Sequence, residues 1–378
     1  MPEAGAPGPA GELKFRDPGL AKALATKLAE VCGEIGRHPI RVMHVCGTHE
    51  QAIAKYGLRA LLPRSLDLIM GPGCPVCVTD PAEIDEAVAL AEDGKLIATY
   101  GDMLRVPGSA KSLAEAQAAG AQVEVVYSAY QAVELARSSR REVVFFASGF
   151  ETTAVTTAAI ALQDDMPGNF SILSAHRYVP PAMELVAQIP QSRVEGLLAA
   201  GHAATITGWG IFENCAERYG IPIVVAGFEP LDILAALVRL VELVRDDSTV
   251  VVNMYPRCVT REGNSVAQDR MWKVFQPGDG MWRGIADVPG GSLRLRAEFA
   301  HLDARKKYTI DISRLLQTVP STLTERCVCG AIMSGLATPT DCELFGHECD
   351  PEHPIGACMV SNEGVCKIWH QYGGHPDL

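Results

Sequence analysis

The sequence has no apolar run approaching the ~18 residues of a membrane span; its longest, such as Ile233 to Val238, are sized for a globular core. It also lacks a cationic start followed by an apolar segment. Residues 1–19 are instead rich in Pro, Gly and Ala, which does not make a secretory signal. Excess basic charge is missing too: 33 Lys and Arg stand against 45 Asp and Glu, a net charge of −12, whereas a nucleic-acid binder needs a basic face. These absences predict a cytoplasmic protein with no membrane and no nucleic-acid partner. No Walker A loop, no G-x-G-x-x-G after a strand, no G-x-S-x-G and no H-E-x-x-H occurs, so the common nucleotide, hydrolase and protease signatures are absent.

What is present is a globular composition, 48% hydrophobic and 21% charged over 378 residues, long enough for two or three domains. From Ile40 to Gly227 short β-branched runs alternate with helical patterns, which predicts an α/β fold with parallel sheets. The expected strands are Ile40–Val45, Leu66–Met70, Leu96–Tyr100, Val123–Tyr127, Val143–Ala147, Phe170–Ser174, Val194–Ala199 and Pro222–Ala226. Asp17-Pro18 opens a first helix that ends near Gly36, and Asp80-Pro81-Ala82-Glu83 reads as a cap, an N1 proline and an acid three residues past the cap. Leu231 to Arg245 reads as an amphipathic helix.

The eight strands fall into two sets of four with similar spacings. The first strand of each set ends alike, in Cys46-Gly47-Thr48-His49-Glu50 and in Ser148-Gly149-Phe150-Glu151-Thr152. The expected organisation is a flexible tail (1–16), two similar parallel-sheet α/β domains facing a cleft (17–130 and 131–255), and a loop-rich cysteine domain (256–378). Gly/Pro punctuation over 276–291 reads as irregular, and Ser292 to Phe299 as one last strand. Ligands of open α/β sheets bind beyond the carboxyl ends of the strands, where the polar motifs fall.

Twelve cysteines in a reducing compartment need a role other than structural disulfides. Six lie within the last 52 residues, with the spacing Cys327-x14-Cys342-x6-Cys349-x16-Cys366 and with Cys329 and Cys358 available as substitutes. Four thiolates in a loop-rich segment suit a [4Fe–4S] cluster. Structural zinc is the nearest competitor, but zinc ribbons supply two close cysteine pairs and this tail has only Cys327-x-Cys329. Cys74-Pro75-Val76-Cys77 is a lone CxxC in a Gly-Pro loop, which favours a redox dithiol over half a zinc site or two buried cysteines. Cys46, followed by His49 and Glu50, reads as a nucleophile, a soft metal ligand or a plain buried thiol. Gly149 to Thr153 reads as an anion-holding loop or a capping turn, and His176 and His202 as structural histidines. Cys32, Cys215 and Cys258 read as packing residues.

Taken together, HVCGTHE (44–50), GPGCPVC (71–77), GFETT (149–153) and the tail from Cys327 to Cys366 with GACMVSNEG (356–364) resemble the HypD family of [NiFe]-hydrogenase maturation proteins. The resemblance spans nearly the whole chain and leaves out the first dozen residues. It implies a scaffold with redox chemistry more than a conventional turnover enzyme. On it an Fe(CN)2CO group would be assembled with a HypC-type partner, a HypE-type protein delivering cyanide, in transient complexes of a monomer. By motif, Cys46 would hold that iron, Cys74 and Cys77 would be the redox dithiol, and Cys327, Cys342, Cys349 and Cys366 would hold the [4Fe–4S] cluster. His49, Glu50, Glu151, Thr152, Thr153 and His202 would surround the iron or hold anions. The alternatives are a cluster-dependent, thioredoxin-like disulfide reductase, which has no use for Cys46, and an iron–sulfur carrier, which needs only the tail.

Overall fold

The computed structural model of the chain describes residues 15–36, 39–316 and 322–374. All eight expected strands are present: β1 (Ile40–His44), β2 (Leu66–Met70), β3 (Leu96–Thr99), β4 (Val123–Val125), β5 (Val143–Gly149), β6 (Phe170–His176), β7 (Gly196–Ala200) and β8 (Ile223–Ala226). Three more follow, β9 (Val251–Asn253), β10 (Phe275–Trp282) and β11 (Ala286–Leu295). The fold is α/β, with a five-stranded parallel sheet in the order β2-β1-β7-β8-β9 and a four-stranded parallel sheet in the order β4-β3-β5-β6. Strands buried on both faces read as continuous apolar runs; β5 and β6 are buried along their whole length.

The strands do not group as two consecutive sets of four. The chain leaves the first sheet after β2, builds all of the second sheet, and returns to the first with β7. A boundary at 130/131 would part β4 from β5, which flank β3 in one sheet. Equal spacing marks successive β–α units but carries no information about pairing, which is settled by burial. β1 needs a second parallel neighbour and β7 supplies it, with Val42 opposite Gly196 and His44 opposite Leu198. Gly196 is suited to that position because a Cβ there would stand 2.8 Å from Leu240 of the covering helix.

The stretch 276–291, read as irregular, is most of the antiparallel hairpin β10–β11, with a bulge between Gly278 and Gly280. The strand expected at 292–299 is the end of β11 followed by one helical turn at Ala297–Phe299. Glycine there serves packing, since the Ser292 hydroxyl occupies the space a Cβ on Gly280 would need. The hairpin is fastened to the second sheet through a bridge between Arg177 and Ser292.

Local capping signals were informative. Helix Pro18–Ile35 begins at Asp17, whose side chain accepts from Leu20 N (2.9 Å), and ends at Gly36 with φ 70°. Asp80 caps helix Pro81–Glu92 by accepting from Ala82 N (3.1 Å). Helices Pro18–Ile35 and Pro230–Arg245 cover one face of the first sheet through Leu28, Val31, Ile233 and Leu237. Of the expected tail, residues 1–14 lie outside the described residues, while Phe15 and Arg16 are anchored. Arg16 pairs with Glu229 (2.6 Å) and the Phe15 carbonyl accepts from Leu231 N (3.2 Å).

A core between the two sheets runs on into the cysteine-rich tail, joining Met43 and Met70 to Phe146, Leu173, Met333 and Trp369. The tail is short helices linked by loops, among them Cys329–Met333, Ala357–Val360 and Val365–Tyr372. Among the described residues no helix is long and apolar enough to cross a membrane.

Candidate functional site

Cys46 lies just beyond β1, in extended conformation, and precedes helix Gly47–Lys55. Its thiol is fully buried. Burial, reinforced by the Glu363 carboxylate, pushes its pKa up to about 12, while the backbone N–H groups of His49 and Thr48 favour the thiolate. Such a thiol is inert until a cation arrives to take its proton's place. Cys46 Sγ is 3.7 Å from His202 Nδ1, on the helix that follows β7. Phe228 lies against both His49 and His202, with ring centroids 5.0 and 5.3 Å away.

His49 Nε2 donates to the Gly227 carbonyl (3.0 Å), which leaves Nδ1 as a buried acceptor without a partner. Burial, then the neighbouring His44 and His202, lowers its pKa to about 3, so the ring is neutral at physiological pH. Glu50 is occupied elsewhere. One oxygen accepts from Trp369 Nε1 (2.6 Å) and Arg59 (2.8 Å), the other from Arg59 (2.8 Å) and His44 Nε2 (2.8 Å).

The CxxC loop is built directly against Cys46. Gly47 N donates to the Gly73 carbonyl (3.0 Å), and a Cβ on Gly73 would overlap the backbone of Cys46. Cys74 and Cys77 are buried and joined as a disulfide, with Cα atoms 5.2 Å apart. Asp80, not a cysteine, caps the helix that follows. The loop's other face meets the tail, since Cys77 Sγ is 3.9 Å from the Ala357 carbonyl.

From the second sheet, Gly149 (φ 136°) turns the chain into helix Glu151–Ala161, which packs on the helix carrying His202. Thr153 folds back on Gly149, and Thr152 is half-buried beside it. Glu151 Oε1 accepts from Val179 N (2.8 Å), whereas Oε2 is buried without a partner. Burial pushes its pKa from 4.5 to about 7. This raised value predicts a pH effect of definite sign. The unfolded chain releases the proton first, so stability falls as pH rises from 4.5 to about 7 and is level beyond. Glu151→Gln keeps the acceptor and has no proton to lose. It should match the parent near pH 4 and exceed it by roughly 3 kcal/mol at pH 8. Urea midpoints across pH check this, and a difference that does not change with pH would overturn it.

The tail thiols converge. Cys329 and Cys366 donate to Cys358, which lowers its pKa to about 5, and Cys327 is raised by its contact with Cys329. Gly356 packs on Cys327 and Cys329, where a Cβ would stand 2.6 Å from each sulfur. Cys349 Sγ accepts from Ile355 N (3.4 Å) at the edge of the nest. Cys342 is partly exposed. Cys329 and Cys358, the two substitutes, lie within these contacts, and Cys342 packs on the same core. No group of three or more His, Cys, Asp or Glu among the described residues has the geometry of a site for one ion. A cubane, by contrast, takes one thiolate on each of four irons.

Thr48 and Glu363 join the site although neither stands out in the sequence. Thr48 Oγ1 donates to Glu363 Oε1 (3.0 Å), and a Cβ on Gly47 would collide with Glu363. A carboxylate amid the GACMVSNEG run was the available signal, but its meeting with a loop 315 positions earlier was not.

A buried thiol, a disulfide loop packed on it and a cluster of tail thiols define the class: an α/β protein with a thiol-rich site. The chain belongs to the HypD family. The model described as "HypD: Hydrogenase formation hypA family" matches residues 19–373. The chain is similar to the hydrogenase maturation factor HypD of Rhodobacter capsulatus, 39% identical over 369 residues that cover 96% of this chain and 97% of that one. The factor of the same name from Azotobacter vinelandii is 39% identical over 371 residues (95% and 96% covered), and that of Cupriavidus necator 40% over 380 residues (97% and 97%). It is a hydrogenase maturation factor.

Proposed function

We propose that this chain is the scaffold on which the Fe(CN)2CO group of [NiFe]-hydrogenase is assembled, with a HypC-type protein sharing the iron and a HypE-type protein supplying cyanide. The observation that carries the reading is the direct packing of the CxxC loop on Cys46, with the tail touching both. The incoming iron is cargo. Cys46 is a soft ligand suited to iron bearing strong-field diatomics; His202 stands ready to accept its proton, and the N–H groups of Thr48 and His49 to hold the thiolate. His49 stands beside Cys46 on the side of the first sheet, and Glu151 with Thr152 and Thr153 of the GFETT loop comes from the second.

The donor set of the tail fits a [4Fe–4S] cluster. Cys327, Cys342, Cys349 and Cys366 are the proposed ligands, and Cys358 competes for the place of Cys342, as its thiol contacts favour. When bound, the cluster supplies one-electron transfer. The chain's own Cys74–Cys77 disulfide accepts two electrons and two protons and opens to the dithiol, and the tail is the side from which that bond is reached. The chain works as a monomer in transient complexes.

The test is an infrared spectrum of the protein purified without oxygen alongside its HypC-type partner, with Cys46→Ala as control. Metal-bound cyanide and carbon monoxide bands are expected in the parent and not in the control. A parent from an active maturation system that holds its cluster but shows no such bands would overturn the scaffold and leave the disulfide reductase standing.

A further inference from the structure

Between the dithiol loop and the thiol nest stands a cation that neither motif contains. Arg283 sits at the tip of the β10–β11 hairpin. Its backbone N donates to the Val78 carbonyl (3.1 Å), its Nε to the Thr79 carbonyl (2.8 Å) and its Nη2 to the Pro107 carbonyl (2.7 Å). Val78 and Thr79 directly follow Cys77, so these bonds fix the exit of the dithiol loop. The next residue, Gly284 (φ 70°), packs backbone to backbone on Gly330, the residue after Cys329, and a Cβ on Gly284 would stand 2.9 Å from the Gly330 Cα. Two glycines in contact thus bring the hairpin tip that carries Arg283 beside the segment of Cys329. Burial draws the Arg283 pKa down, while the sulfurs of Cys329, Cys358 and Cys327, with the Asp80 carboxylate, are the negative partners that hold it up.

We propose that Arg283 is a positioning residue that joins the two sulfur sites into one electrostatic unit, fixing the dithiol loop by hydrogen bonds and stabilising negative charge on the tail sulfurs. The proposal rests on the cluster reading of the tail given above, and it goes beyond the motifs by naming what sets the tail's charge state. Four thiolates on an iron–sulfur core make an anion that gains one further negative charge on reduction. A fixed cation at its edge therefore favours the reduced form, the more so in a half-buried setting where screening is weak. Arginine suits the place because its planar fork reaches two carbonyls at once and stays charged.

The experiment uses the full chain, reconstituted without oxygen, as parent, Arg283→Gln and Arg283→Lys. Iron and sulfide content and a redox titration followed by electron paramagnetic resonance are measured on each. At equal iron content, Arg283→Gln should titrate at a lower midpoint potential and Arg283→Lys should return most of the way to the parent. Unchanged potentials, or equal shifts in both variants, would overturn the proposal, because a merely structural arginine would not be rescued by charge. If the parent itself takes up no iron, the cluster reading fails separately. Hydrogen exchange of the metal-free, reduced chains then decides: the amides of residues 76–80 should exchange several-fold faster in Arg283→Gln than in the parent, with Arg283→Lys close to the parent, because the side-chain bonds to Thr79 and Pro107 are lost. Equal exchange in all three would overturn the proposal.

Discussion

Glu83→Ala is expected to destabilise the fold by about 3–5 kcal/mol, the cost of stranding a buried cation. Glu83 Oε2 accepts from Arg177 Nη2 at 2.6 Å and Oε1 from Arg177 Nη1 at 3.2 Å, with the Arg177 side chain 1% exposed and that of Glu83 7%. Arg294 and Arg305 approach the same carboxylate at 3.3 and 3.5 Å. Burial alone would push the Glu83 pKa up, but Arg177 and then the two further arginines hold it below its ordinary value. Removing the carboxylate leaves Arg177 with the Met281 carbonyl (2.9 Å) and the Ser292 hydroxyl (3.2 Å), which are neutral acceptors. Glu83→Gln retains an acceptor and should lose less. Denaturant unfolding of the three chains checks the order, and a loss below about 1 kcal/mol for Glu83→Ala would show that the group contributes no more than a solvent-screened surface pair. Helix Pro81–Glu92 is the crossing from β2 in one sheet to β3 in the other, and this ion group ties it to the end of β6 and to the hairpin.

The same residue shows where sequence reading reaches its limit. Glu83 stands three positions past a capping Asp, and its type and spacing match the reciprocal capping pattern, yet its carboxylate reaches across 94 positions to Arg177. Local signals could be read because they are local: the eight strands from β-branched runs, the helix starts at Asp17 and Asp80, the loops carrying Cys46 and CxxC. Sheet membership could not, since the pairing of Val42 with Gly196 depends on which faces the rest of the chain leaves to be covered. At the site, Cys46 and its adjacent loop were legible from thiols placed at strand ends. The guanidinium of Arg283 and the carboxylate of Glu363 were not, because nothing in their own segments indicates that they meet those thiols. Glu50 reads from proximity in sequence as a neighbour of the metal; its carboxylate meets His44, Arg59 and, from the tail, Trp369, a partner its own segment does not announce.

That position of Glu50 leads to the second large effect. Glu50→Ala should cost about 3–5 kcal/mol and also release the end of the chain. The carboxylate is fully buried and accepts four hydrogen bonds, two from Arg59, one from His44 and one from Trp369. Burial pushes its pKa up, but Arg59 and His44 outweigh this and hold it far below the ordinary range. A depressed pKa contributes stability that is present above the unfolded value of 4.5 and lost only as pH falls through the folded one. The parent's advantage over Glu50→Ala should therefore be constant from pH 6 to 8 and shrink only in strong acid. Trp369 lies on helix Val365–Tyr372, and its indole is the polar tie between that helix and the helix beginning at Cys46. The Arg59 guanidinium, 5.4 Å from the Trp369 ring centroid, is left without its counter-ion in the variant. Hydrogen exchange should consequently rise across residues 365–372 more than across the second sheet, whose contacts do not pass through Glu50. Equal exchange in the two regions would mean that the carboxylate supports the whole fold and not this junction. Since Cys366 and Glu363 lie on or beside the released segment, and Glu363 meets Thr48 next to Cys46, one substitution at Glu50 should loosen the tail thiol nest and the Cys46 loop together.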